Sequence, residues 1–127
     1  MASSERLELG MRFGVALAEM NEEGLREVCT EDVTWSIPGS SRVSGTSFGV
    51  AGLLAVQRVL HDAGVTAEIQ QVLYGRDSMV AMLHETGSKD GKTLDVIVAS
   101  VVELRGRRIA RITANVSDVE QLNRYLR

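Results

Sequence analysis

The stretch that decides the fold of this chain is Glu31-Asp32-Val33-Thr34-Trp35-Ser36-Ile37-Pro38-Gly39, followed by Val43-Ser44-Gly45 and Phe48-Gly49. Val33 to Ile37 is predicted to be a strand, and Pro38 and Gly39 end it, because proline lacks the N–H that a strand ladder needs. The segment from Pro38 to Gly49 is rich in serine and glycine. It is predicted to be a loop within one domain.

The residues before this strand predict two helices. Ser3 and Ser4 can cap a helix from about Glu5 to Met20, whose apolar side is Leu7, Met11, Phe13, Leu17 and Met20. Odd-numbered apolar residues from Leu7 to Val15 also fit a strand, and Gly10 and Gly14 each weaken a helix by about 1 kcal/mol. The helix is the preferred interpretation. Asn21 to Thr30 predicts a second, short helix.

The residues after the loop predict a third helix and then a meander of strands. The helix begins near Val50 and ends at Ala63-Gly64. Four strands follow, separated by turn signals at Gly75, Asp90-Gly91 and Gly106: Val65 to Tyr74, Met79 to Thr86, Thr93 to Leu104 and Arg108 to Val116. Ser117 and Glu120 form an S-x-x-E capping box, which predicts a short terminal helix through Leu122 and Leu126.

Length and composition indicate one ordinary globular domain, residues 1–127. Apolar residues make up 44% of the chain and charged residues 24%, and the net charge of -3 gives no basic field for nucleic acid. The arginines from Arg105 to Arg108 are better explained by a solvated turn. Met1 to Gly14 has no apolar run, so no secretory signal or membrane anchor is expected and the predicted location is cytoplasmic.

Cysteine and histidine are too few for a metal site. Cys29 is the single cysteine, and His61 and His84 are the only histidines, so no cluster has metal-ligand spacing. No metal is expected. Cys29 is interpreted as a small buried hydrophobe and not as a nucleophile.

The segment from Glu31 to Gly49 resembles the "D-V-x-W-x-x-P-G … x-S-G … G" segment of SnoaL-like polyketide cyclases, in the nuclear-transport-factor-two-like superfamily. Two later segments, Thr93 to Val98 and Gly106 to Ile109, are similar to paired strands of ketosteroid isomerases. The resemblance implies an α+β fold. Its expected form is a cone-shaped, curved mixed β-sheet with three helices from the amino-terminal half on its concave face and a short carboxy-terminal helix.

The resemblance also implies where catalytic groups should be, and they are missing. The isomerases' base carboxylate falls on Ile37, their oxyanion-binding acid on Val98, and their tyrosine near Gly14 to Ala16. One acid of the arginine-bridged pair of limonene epoxide hydrolases falls near Ala114. The isomerase mechanism is therefore not expected, and the epoxide hydrolase pair is not evident. No cofactor is expected.

The Asp90-Gly91 turn predicts which side chains face the cavity. A two-residue hairpin pairs Lys89 with Lys92 and, by alternation, Glu85 with Val96 and Leu83 with Val98. Because the resemblance places Val98 in the cavity, Glu85 should face it too and is the candidate catalytic residue. A register shifted by one residue would turn His84 inward in its place.

The predicted substrate-binding wall is mostly aliphatic. It consists of Phe13, Leu17, Trp35, Ile37, Val56, Leu83, Val96, Val98, Ala114 and Val116. Trp35 can serve equally as a core residue or as a stacking surface for a ligand. Asp118 is interpreted as a first-turn acid of the terminal helix, and Tyr74 as a rim residue.

The leading hypothesis is a cofactor-independent enzyme that cyclises, isomerises or dehydrates an apolar small molecule, with Glu85 moving the proton. The alternative is a non-catalytic small-molecule-binding or dimerisation module of the same fold. An adaptor like nuclear transport factor two has no distinctive support. A homodimer through the convex face is also predicted, because Ile97, Ala99 and Val101 make that face of the strand apolar.

Overall fold

A computed structural model describes residues 1–127 and contains four helices and six strands. In chain order they are α1 (Ser3–Ala18), α2 (Glu22–Val28), β1 (Cys29–Ile37), β2 (Gly45–Phe48), α3 (Gly49–Asp62), β3 (Thr66–Tyr74), β4 (Ser78–Lys89), β5 (Lys92–Arg105), β6 (Arg108–Val116) and α4 (Val119–Tyr125). None of these helices has the length and the apolar character that crossing a membrane requires.

The strands form one mixed, curved sheet in the order β2-β1-β6-β5-β4-β3. Only β1 and β6 run parallel, and the other neighbouring pairs are antiparallel. Register shifts interrupt three ladders: β1 with β6, β3 with β4, and β5 with β6. Because such bulges bend and twist strands, they account for the curvature. The predicted α+β class and curved mixed sheet are confirmed.

The sheet has two different faces. Its inner face buries residues such as Val33, Val96 and Ile112, and α2, α3 and α4 contact strands β1, β2, β5 and β6. No helix covers edge strand β3 in the same way, and eight of its nine residues are exposed. The inner face is therefore closed over the central strands and open at β3.

Two apolar clusters make up the core. One joins α1, α2 and the start of α3 to the sheet and includes Leu9, Val28, Val33, Leu53, Met79, Val102 and Ile112. The other joins the end of α3 and α4 to the sheet and includes Ile37, Val56, Leu60, Leu94, Val96, Val98 and Leu126. Trp35 packs against both clusters.

The hairpin register is the one that the Asp90-Gly91 signal predicts. Lys89 pairs with Lys92, and Glu85 with Val96. Asp90 and Gly91 both have positive φ, 52° and 77°, as a two-residue type I′ turn requires. His84, opposite Ile97, therefore lies on the outer face, and the shifted register is not adopted.

Several predicted boundaries were wrong at helix and strand ends. The predicted loop contains β2, which pairs antiparallel with β1 from Thr34 to Ile37. The second helix ends at Val28 instead of Thr30, because Cys29 already pairs with Ile109 of β6. In both places pairing with a distant strand outweighs the local sequence signal.

The predicted helix caps were also displaced. The cap of α1 is Ala2, whose N–H donates to Glu5 at 3.0 Å, so that Ser3 and Ser4 lie inside the helix. The cap of α4 is Asp118, whose carboxylate accepts from the Gln121 N–H. The hydroxyl of Ser117, the predicted cap, instead accepts from the Ile97 N–H on β5.

Candidate functional site

Glu85 is the isolated carboxylate of the inner face. Its strand neighbours are Ala67 on β3 and Val96 on β5, and Val96 is buried. No salt bridge reaches it. Burial without a basic partner disfavours the charged form and raises the pKa of Glu85 to about 7. At neutral pH both protonation states are therefore well populated, which suits a group that must accept and return a proton.

The inward-facing side chains of the edge strand beside Glu85 are exposed. Ala67 and Ile69 share the inner face with Glu85 and Leu83, to which they pair. Both are nevertheless exposed, Ile69 at 47%. The uncovered inner face of β3 thus places exposed apolar side chains beside the carboxylate.

Tyr125 of α4 packs against Gly87, two residues along β4 from Glu85. Its hydroxyl donates to the Ala63 carbonyl at 2.5 Å. A Cβ on Gly87 would lie only 2.7 Å from that hydroxyl, so the ring fits here because residue 87 has no side chain. Sequence reasoning missed this contact, which only the close approach of α4 to β4 creates.

The predicted wall residues mostly lie together. Ile37, Val56, Val96, Val98 and Ala114 are buried in the second cluster, and Leu83 and Val116 pack against it. Phe13 and Leu17 are separate, because they pack against the first cluster with the rest of α1. Trp35 reaches both clusters. Contact of these residues with a ligand stays a prediction.

Trp35 carries an unpaired donor. Its indole Nε1 is buried and has no hydrogen-bond partner. Buried polar groups are usually paired, so an unpaired one needs an explanation. Trp35 packs between the two apolar clusters, whose side chains offer the indole N–H no acceptor.

The other ionisable candidates have structural surroundings. His84 Nε2 lies 2.6 Å from Asp95 Oδ1 on the outer face. Two hydrogen bonds from Gln121 lower the pKa of Asp118, as expected of a helix cap. Burial raises the pKa of the Cys29 thiol to about 11, so almost none of it is thiolate at neutral pH. Tyr74, half-exposed, has the Arg6 guanidinium 5.2 Å above its ring.

Two of the three arginines of the β5–β6 turn are paired with carboxylates. Arg105 pairs with Asp32 at 2.5 Å and Arg107 with Glu5 at 2.8 Å, and Gly106 adopts a positive φ between them. These contacts fit the interpretation of a solvated turn.

Two surface clefts flank α4 outside the inner face. Their volumes are about 590 and 230 Å³, and both are lined by Lys92, Tyr125 and Arg127. Neither includes Glu85. They are open grooves between charged surface side chains and lack the apolar wall that an organic ligand needs.

Comparison with known proteins gives a family match and several matches in fold. The model of the SnoaL-like domain matches residues 12–112. Bal32a, from a soil-derived mobile gene cassette, is 23% identical, with a TM-score of 0.88 over 98% of both chains. TerC, co-crystallised with polyporic acid, is 16% identical, with a TM-score of 0.81 over 96% of this chain and 98% of that one.

A third similar structure is assigned as a SnoaL-like polyketide cyclase from Jannaschia sp. CCS1. It is 16% identical, with a TM-score of 0.73 over 90% of this chain and 86% of that one. The TM-scores of these three structures show that they share the fold of this chain, although the sequence identities are low. A comparison with curated proteins finds no match.

Proposed function

The chain belongs to the SnoaL-like domain family, and on that premise we propose that it is a cofactor-independent acid/base enzyme of the cyclase, isomerase or dehydratase class. Its substrate is an apolar small molecule held on the inner face of the sheet. The observation that carries the proposal is Glu85, a carboxylate among apolar side chains whose pKa burial raises to about 7.

The proposed chemistry needs one group with two roles. Ionised Glu85 takes a proton from a carbon or hydroxyl of the substrate, and the electron pair left behind moves into the substrate's own π-system. Protonated Glu85 then returns the proton at another position, or delivers it to a leaving hydroxyl that departs as water. The aliphatic neighbours Leu83, Val96 and Val98 exclude water and strengthen electrostatic interactions during the transfer.

Two structurally similar proteins support a role in small-molecule chemistry. TerC has been co-crystallised with polyporic acid, and the Jannaschia protein is assigned as a polyketide cyclase. Both share this chain's fold over nearly its whole length. This shared fold is why small-molecule chemistry is proposed for this chain as well.

Proton abstraction can be tested before the natural substrate is known. Enolisable apolar ketones such as cyclohexanone and tetralone are incubated with the protein in deuterated buffer, and deuterium uptake is followed by mass spectrometry. The wild-type protein should accelerate uptake, with a rate that rises through an inflection near pH 7. The Glu85→Gln variant should fall to the buffer rate, and the outer-face control His84→Asn should not.

The alternative function is a non-catalytic small-molecule-binding or dimerisation module. It is favoured by the absence of any charged partner that would orient Glu85. It is also favoured by the apolar character of the sheet's outer face. Val80, Met82, Ile97, Ala99 and Val101 form a partly exposed apolar patch there, suited to a second copy of the chain. Deuterium uptake equal to that of buffer in every ketone, or equal in wild type and Glu85→Gln, would favour this alternative.

A further inference from the structure

Helix α1 has apolar side chains on two opposite sides. Leu9 is buried in the first cluster, and Phe13, four residues later, packs against the same cluster. Leu7, Met11 and Val15 are also spaced four residues apart, and they are 41%, 49% and 55% exposed. The alternation of apolar residues that fits a strand therefore arises in a helix, because successive odd-numbered positions point alternately to the core and to the solvent.

The exposed surface of α1 is divided into an uncharged sector and a charged sector. At about 3.6 residues per turn, the uncharged sector covers about 120° of the circumference and consists of Ser3, Ser4, Leu7, Met11, Gly14, Val15 and Ala18. The charged sector lies beside it and consists of Glu5, Glu8, Arg12 and Glu19. We call the uncharged sector the α1 face. The exposed side of a surface helix is normally polar, so an apolar sector with a charged rim indicates an interaction surface.

The shape of the α1 face suits a second helix. Leu7, Met11 and Val15 form a ridge along one row of residues spaced by four, and Gly14 and Ala18 form a shallow groove in the next row. Helices pack against each other by placing the ridge of one into the groove of the other. A helix from a partner can therefore pack on this face as helices do within a protein core.

Gly14 is not explained by contacts within the chain. A glycine inside a helix is destabilising relative to alanine. At Gly10 the fold accounts for the glycine, because an added Cβ would lie 3.1 Å from Met79 Cε. At Gly14 an added Cβ would have no neighbour within 4 Å. Close approach of a partner's backbone to the groove would account for a glycine there.

The charged sector indicates the chemistry of the partner. Glu5 and Arg12 form salt bridges within the chain, whereas Glu8 and Glu19 form none. These two carboxylates lie next to the uncharged sector, where they would form one rim of an interface. Lysine or arginine on the matching rim of a partner would complement them.

The same carboxylates argue against two other occupants of the α1 face. A second copy of α1 would bring its own unpaired carboxylates to the rim, and like charges across an interface repel each other. A membrane with anionic lipids would also repel them, and helices that lie on such membranes have Lys and Arg on their polar sides. The occupant that fits is therefore a basic segment of another protein.

We propose that the α1 face binds an amphipathic helix of a partner protein, whose apolar stripe packs on Leu7, Met11 and Val15 and whose basic rim pairs with Glu8 and Glu19. Three half-exposed side chains offer less area than the roughly 800 Å² per partner of a standard interface, so the binding is weak and reversible. The α1 face points away from the core, and the interaction is independent of the proposed acid/base chemistry.

Two synthetic helical peptides test the chemistry of the partner. They share one stripe of leucine and alanine and differ only in the rim, which is lysine in one peptide and glutamate in the other. Affinity is measured from the NMR shifts of the α1 amides during titration. The lysine peptide should bind at least about 10-fold more tightly than the glutamate peptide. In the double variant Glu8→Lys/Glu19→Lys this preference should be reversed.

Single variants locate the binding on the α1 face. Met11→Glu places a charge in the uncharged sector, and Gly14→Leu fills the groove with a residue that favours a helix. Each should weaken binding of the lysine peptide by about 10-fold or more. Leu73→Glu, at a residue of β3 that is 47% exposed, is the matched control and should not change binding. Circular dichroism verifies that each variant is folded.

Several outcomes would overturn the proposal. Equal binding of the two peptides, no binding of either, or binding that survives Met11→Glu would show that the α1 face does not recognise a basic helix. A smaller oligomer of Met11→Glu than of the wild type in sedimentation would assign the face to a second copy of the chain. Co-sedimentation of the wild type, but not of Met11→Glu, with vesicles of phosphatidylserine and phosphatidylcholine would assign it to a membrane.

Discussion

The isolated carboxylate should make the stability of this protein depend on pH in an unusual direction. The pKa of Glu85 is about 7 in the folded protein and about 4.5 when the chain is unfolded. The folded state thus holds this proton more tightly than the unfolded state does. Stability is then highest below pH 4.5 as far as Glu85 is concerned, and it falls as the pH rises from 4.5 to 7.

The size of the effect follows from the two pKa values. A difference of about 2.5 units at 1.36 kcal/mol each makes the folded state less stable by ~3 kcal/mol above pH 7 than below pH 4.5. Glu85→Gln removes the ionisable group and with it this contribution. The variant's free energy of unfolding should therefore lack the decrease between pH 4.5 and pH 7, and at pH 8 the variant should be the more stable protein.

Urea unfolding followed by circular dichroism, repeated between pH 4 and pH 8.5, measures the effect. Other groups titrate in this range, so the quantity to compare is the difference between wild type and variant at each pH. The exposed Glu8→Gln, which removes a glutamate outside any salt bridge, is the matched control and should give a flat difference. A flat difference for Glu85→Gln as well would refute the reasoning, since it would mean that Glu85 is as hydrated in the folded state as in the unfolded one.

Two further predictions concern packing. Gly87→Ala should lower the free energy of unfolding by about 1–3 kcal/mol in chemical denaturation, because the added Cβ would lie 2.7 Å from the Tyr125 hydroxyl; Tyr125→Phe in the same chain should recover part of the loss, and a neutral Gly87→Ala would contradict the close approach. The wild-type chain should sediment at micromolar concentration as a dimer of 13.8 kDa subunits, and Ile97→Lys, on the apolar outer face, should sediment as a monomer; a monomeric wild type would exclude that interface.

The sequence predicted those features that local chemistry determines. The Asp90-Gly91 turn admits one two-residue hairpin geometry. The pairing of Lys89 with Lys92 could therefore be extended residue by residue to that of Leu83 with Val98. Strand β2 was missed because its four residues have no apolar alternation, and they become a strand only when β1 offers its free edge. Local patterns contain no information about such an edge.

The candidate site likewise has one feature that local sequence predicts and one that depends on packing between distant elements. The inward direction of Glu85 could be predicted because one turn sets its register and the family resemblance places Val98, on the same face, in the interior. The approach of the Tyr125 hydroxyl to Gly87 could not be predicted, because it depends on how α4 packs against β4, far from it in the chain.

The two-residue turn therefore determines which ionisable side chain the interior contains. In the observed register Leu83, Glu85, Leu94 and Val96 face inward, and His84 pairs with Asp95 on the outer face. A shift of one residue would reverse every side chain of β4 and turn His84 inward. It would also expose Leu83 and Met79, so the apolar side chains on both sides of Glu85 oppose it. The same aliphatic contacts that fix the register also remove water from the carboxylate, and for this reason a stable core and a raised pKa arise together at Glu85.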